Sequence, residues 1–155
     1  MVVQVEISEL EYKWASYAGI LRNEDSIQKG RRHAYGLTNY TDENVVGAVG
    51  EFIASLVIGV PWRGPGTFQG EDLVGGYQVR ASKRLNADLT IRPKDPNDAI
   101  YILVVGGPLK WQVPGWILGK DGKQKEFWDD PTYSGRPSAY FVPQLALKSI
   151  KDLTK

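Results

Sequence analysis

GEDLVGGYQVRASKR, residues Gly70–Arg84, predicts a short strand, a Gly75-Gly76 turn and a second strand. Side chains alternate along a strand, so Gln78 and Arg80 share one face and Tyr77 and Val79 the other. The turn decides which acid joins them. A two-residue Gly75-Gly76 turn sets Glu71 opposite Arg80 and Asp72 opposite Val79. A three-residue Val74-Gly75-Gly76 loop sets Asp72 opposite Gln78. Both turns suit a Gly-Gly pair, and either puts one carboxylate on the face of Gln78 and Arg80.

Upstream, Thr41 or Asp42 can cap a helix over 43–59, with Val45, Val49, Phe52, Ile53 and Leu56 on one apolar face. Glu51 lies nearly opposite the centre of that face, among Gly47, Ala54 and Ile58, with Gly50 and Ser55 at the edges. A solvated surface would carry several charges; this one carries a single carboxylate among small residues. Such a group needs a cation, a metal or an arginine, if it is buried ionised. The same stretch, Val45 to Trp62, is the one membrane candidate. Its three glycines, its proline and Glu51 argue for a buried helix instead.

Ser8 and Glu11 form a capping box for a first helix over 8–22, with Leu10, Trp14, Tyr17, Ala18 and Leu21 at helical spacing. The polar segment that follows brings Lys29, Arg31, Arg32 and His33 together, a solvated loop or a phosphate-contacting patch. Residues 89–92 predict a strand and 93–98 a turn. The apolar run 100–105 predicts a central strand buried on both faces. Residues 111–118 predict a strand with an irregularity at Pro114-Gly115, followed by a long loop to Pro137. Residues 139–142 predict a short strand, and Pro143 opens a terminal helix. Helix, helix, several strands and a short helix predict one α+β domain over 1–155, a central mixed or antiparallel sheet flanked by helices.

The composition narrows the chemistry. The chain has 155 residues, 42% hydrophobic and 24% charged, with net charge +1, so any pull toward nucleic acid must come from local clustering of basic residues. It has no cysteine and one histidine, which excludes disulfides, thiolate zinc sites, a cysteine nucleophile and a His-Glu-x-x-His helix. Metal chemistry here must rest on carboxylate and carbonyl oxygens, favouring hard ions such as Mg2+ or Mn2+. The acidic start, MVVQVEISELE, carries no signal-peptide pattern. A cytoplasmic location is expected, the host cytoplasm for a viral chain.

GAVGEF on the apolar helix, followed about 20 residues later by GEDLVGGYQVRAS, resembles the PD-(D/E)XK nuclease superfamily, with its restriction-endonuclease-like core. There a helix glutamate precedes a strand aspartate and an (E/Q)-x-K triplet. Glu51, Asp72 and Gln78 match those positions, and Arg80 stands where lysine is usual. LTIRPKDPNDAIYILV, GWILGKD and GRPSAYFVPQ are similar to small phage-type members. The resemblance implies a Mg2+-dependent endonuclease or exonuclease hydrolysing DNA, with the ion held by Glu51, Asp72, Gln78 and the Val79 carbonyl. It implies catalytic use of Glu51, Asp72, Gln78 and Arg80 converging in one cleft. Lys29, Arg31, Arg32, Lys83 and Arg84 are candidate DNA contacts. A homodimer is compatible with this reading.

Two departures qualify the match. Gln78 brings no negative charge, and Arg80 stays protonated and cannot serve as a base. They open a second expectation, a nuclease-fold protein that has lost catalysis and binds nucleic acid or acts in viral assembly.

Overall fold

The computed structural model describes residues 2–28, 40–64, 71–130 and 136–154, with only the backbone path described for 23–28 and 40–42. Ile100–Gly106 explains the architecture. From Tyr101 on, every residue of this strand is buried, because both faces are covered. Ile102 and Val104 point into a core shared with Val49, Phe52 and Ile53 of a helix. Tyr101, Leu103 and Val105 point into a second core with Leu89, Ile91, Ile117 and Val142. An apolar run, without alternation, is what a strand between two cores requires.

The elements are β1 (Val3–Glu6), α1 (Glu9–Gln28), α2 (Tyr40–Ile58), β2 (Tyr77–Ser82), β3 (Leu89–Ile91), β4 (Ile100–Gly106), β5 (Lys110–Leu118), α3 (Gly119–Gly122), β6 (Trp128–Asp129) and β7 (Ala139–Val142). The main sheet has the order β1-β5-β4-β2, with β2 parallel to β4 and the other pairs antiparallel. A smaller sheet, β3-β7-β6, covers its second face. The fold is thus α+β around a mixed sheet. Among the described residues no helix is long and apolar enough to cross a membrane, and α2 is a core helix.

β4 and β5 are joined through Gly106 and Gly107, whose φ values of 126° and 114° suit only glycine. The register between them shifts by one residue past Leu103, opposite Pro114. Proline cannot donate to a ladder, so the bulge falls there. The predicted terminal helix is two single 3-10 turns, Gln144–Ala146 and Ile150–Asp152, tied by Lys148 to Trp116 of β5.

The capping box forms as expected: Ser8 N–H donates to Glu11 Oε1 at 2.9 Å and Glu11 N–H to Ser8 Oγ at 3.1 Å. The helix it starts does not bury its large apolar stripe. Leu10, Trp14 and Tyr17 are 77%, 62% and 59% exposed, while Ala15, Ala18 and Gly19 face α2. A Cβ on Gly19 would stand 2.5 Å from the Asn44 carbonyl oxygen, so α1 approaches α2 backbone to backbone. Small residues set this close approach, and Trp14 meets Phe52 of α2 edge to face, with ring centroids 6.4 Å apart.

Candidate functional site

Leu73 bridges Tyr77, closing the three-residue loop Val74-Gly75-Gly76. Gly75 and Gly76 take φ of 109° and 82°. The first leg is that single bridge and not a full strand. Both acids before the turn brace it. Glu71 Oε2 accepts from Gly76 N–H at 2.6 Å and Oε1 from Arg63 Nη2 at 3.2 Å. Asp72 N–H donates to the Tyr77 carbonyl at 2.9 Å, and Asp72 Oδ2 accepts from Val79 N–H at 2.8 Å.

Glu51 reaches this corner from α2. A Cβ on Gly50 would stand 2.5 Å from Ala81 Cβ, so α2 lies directly on β2, on the face of Val79 and Ala81. Both Glu51 oxygens accept from Arg22 of α1, Oε2 from Nη1 at 2.8 Å and Oε1 from Nη2 at 3.0 Å. Only 10% of the Arg22 side chain and 13% of the Glu51 side chain are exposed. Arg22 Nη2 also donates to the Gly64 carbonyl at 2.6 Å. Burial pushes the Glu51 carboxyl up to about 7 against the pull of Arg22, and the nearby charge of Asp72 adds to the rise. Asp72 is raised as well, by burial, against its bond from Val79 and the charges of Arg80, Arg22 and Arg63. The two carboxylates are neighbours, in a corner dominated by guanidinium groups.

Arg80 leaves β2 on the other face. The parallel register pairs Gln78 with Tyr101 and Arg80 with Leu103, residues of the second core, while Val79 pairs with Ile102 on the helix side. Arg80 Nε donates to the Thr90 carbonyl at 3.1 Å and Nη2 to Asp95 Oδ2 at 2.9 Å, with the guanidinium 5.1 Å from the Tyr101 ring centroid. The four residues expected in one cleft are therefore divided. Glu51 belongs to the helix side, Gln78 and Arg80 to the small-sheet side, and Asp72 sits between, sensing charge from both. The reason is the register of β2 on β4, which hands the Val79 face to α2.

This donor set does not fit a hard divalent ion as it stands. Both Glu51 oxygens are engaged by one guanidinium, and Asp72 Oδ2 by a backbone N–H. Among the described residues no three Asp, Glu or His side chains gather as ligands.

The basic candidates also separate. Lys29, Arg31 and Arg32 lie outside the described residues. Lys83 joins Tyr12, Val45 and Trp111 around a cavity of about 280 Å3 on the helix side. Arg84 lies on the opposite side, in a cleft of about 320 Å3 that it lines with Arg80, Arg92, Arg136, Thr90 and Phe141. Among the described residues, no acidic one lines this cleft. Arg136 lies 4.2 Å from the Phe141 ring centroid and donates to Asp129 Oδ2 at 2.7 Å. Asp95 Oδ2 holds Arg80 from behind and also accepts from Arg92 N–H at 2.8 Å. Sequence reasoning missed Arg92 and Arg136. Their signal was present, as an arginine ending one β3-like run and another just before SAYFV. Only the pairing of β3 with β7 brings the two together.

No family model, curated protein or solved structure matches the chain.

Proposed function

We propose that the protein binds nucleic acid through the four-arginine cleft, as a non-cleaving relative of the nuclease frame its motifs resemble. One observation carries this reading: Arg80, standing at the position of the usual lysine, lies on the sheet face away from Glu51, in a cleft with Arg84, Arg92 and Arg136. Guanidinium forks match phosphate oxygens in geometry and charge, and their binding releases counterions from the nucleic acid. With a net charge of only +1 for the whole chain, four arginines in one cleft are a local concentration of charge. The test is fluorescence anisotropy with labelled DNA over a salt series. Affinity should fall steeply with salt, and Arg84→Ala or Arg92→Ala should each lower both the affinity and the salt slope. Binding that ignores salt and both substitutions would overturn the reading.

A second reading, metal-dependent hydrolysis of DNA, rests on Glu51 and Asp72 being neighbours, each raised by desolvation. Plasmid and oligonucleotide cleavage with Mg2+ or Mn2+ decides it. Cleavage by the wild type that Asp72→Asn abolishes would establish this reading and remove the claim that the protein does not cleave.

A further inference from the structure

We infer that the arginine cleft takes an unpaired DNA strand, with one base stacked at Phe141 and Arg136 and the flanking phosphates held by the other arginines. This inference rests on the nucleic-acid reading above and names the form of nucleic acid.

The floor of the cleft is the outward face of the small sheet. Thr90 pairs with Phe141 across β3 and β7, while Leu89, Ile91 and Val142 turn into the core. The cleft thus has an aromatic floor. Its walls are cationic, from β2 and the segment after it on one side and from Arg92 and Arg136 on the other. A volume of about 320 Å3 is that of a small-molecule pocket. It admits a nucleotide and not the body of a double helix, whose major groove alone is about 12 Å wide. A paired base is already stacked within its helix, so only an unpaired one can lie against Phe141 or the Arg136 guanidinium. Base stacking on an aromatic ring or on an arginine plane, beside basic walls that follow the backbone, is the general chemistry of single-strand recognition. Asp95 holds Arg80 without lining the cleft, so this guanidinium is placed before a ligand arrives.

The experiment compares a labelled oligo-dT strand with a hairpin duplex of equal phosphate number, on wild type, Phe141→Leu, Arg92→Ala and Lys13→Ala. Lys13 lies on α1, in the helix layer on the other side of the main sheet. The single strand should bind at least tenfold tighter than the duplex. Phe141→Leu should cost it roughly tenfold, within the range for loss of one stacked base, and Lys13→Ala should change it less than twofold. A strand carrying 2-aminopurine should lose fluorescence on binding the wild type, a signature of stacking that needs no variant to fold. Duplex bound as tightly as single strand, with both weakened by Arg92→Ala, would overturn this inference and leave the nucleic-acid reading intact. A bound strand with no quenching and no loss on Phe141→Leu would also overturn it. No binding of either form would remove both.

Discussion

Arg22 of α1 holds both carboxylate oxygens of Glu51 of α2, at 2.8 and 3.0 Å, in a pair almost closed to water. Removing one partner of a buried pair leaves the other uncompensated, at a cost of about 3–5 kcal/mol, whereas replacing both with apolar groups of similar volume is close to neutral. Arg22→Met should therefore lower the unfolding free energy by about 3 kcal/mol or more at pH 8. It should lower it less at pH 5, where the orphaned carboxyl can take a proton. Arg22→Met with Glu51→Leu should recover most of the loss. Urea midpoints for the two variants check this; a double variant no better than the single would show that the pair contributes through more than charge compensation.

Glu51 gives stability a pH dependence of definite sign. Its folded value of about 7 lies above the 4.5 of an unfolded chain. Between those values the native state keeps a proton that the unfolded state loses. The contribution is fully present below pH 4.5 and declines as pH rises to 7, by at most about 3 kcal/mol. Asp72, also raised, acts in the same direction. Glu51→Gln keeps an oxygen for Arg22 and removes the titration. Denaturation at pH 5, 6, 7 and 8 should show a steeper decline in the wild type than in the variant. Parallel profiles would mean that Arg22 keeps Glu51 ionised throughout.

Local patterns gave the elements away; their partners they did not. The capping box placed the start of α1, and the unbroken apolar run 100–105 marked β4 as a strand covered on both faces. Alternation along β2 already separated Val79 from Gln78 and Arg80. What it could not say is which face α2 would cover, since β4 is apolar on both sides and so carries no label for either. Gly50 against Ala81 settles it in favour of the Val79 face, leaving Arg80 to the small sheet. The large side chains of α1 misled for a related reason. Leu10, Trp14 and Tyr17 have helical spacing, but Gly19 and the alanines allow the closer approach and so take the interface. β1 went unread because VQVE is only four residues long; β5 completes it.

Asp95 links the cleft to the turn behind it, accepting from Arg80 Nη2 and from Arg92 N–H through the same oxygen, Oδ2. Asp95→Asn preserves an oxygen acceptor and removes a negative charge. It should cost about 1 kcal/mol of stability, the difference between charge-assisted and neutral hydrogen bonds. It should also strengthen DNA binding several-fold at low salt, since the ion pair that offsets Arg80 most directly is then gone. Denaturation and anisotropy on the same variant test both. Weaker binding with unchanged stability would show that Asp95 serves by aiming Arg80 more than by tempering it.

The glycines of the two long helices should respond in opposite ways to one methyl group. In α2, a Cβ at Gly47 meets nothing within 4 Å, while one at Gly50 meets Ala81 Cβ at 2.5 Å. In α1, one at Gly19 meets the Asn44 carbonyl oxygen at 2.5 Å and Val45 Cα at 2.7 Å. Alanine at position 47 adds helix propensity and restricts the unfolded chain without a clash, and should stabilise by about 0.5–1 kcal/mol. Alanine at 50 or 19 forces a helix away from its neighbour and should destabilise by about 1–3 kcal/mol. Gly50→Ala carries a second consequence that Gly19→Ala does not. Moving α2 off β2 separates Glu51 from Asp72 and relieves the repulsion between them, so the decline in stability between pH 4.5 and 7 should become shallower in Gly50→Ala alone. Thermal denaturation of the three single variants across that window distinguishes a loss of packing from a change at the carboxylate corner.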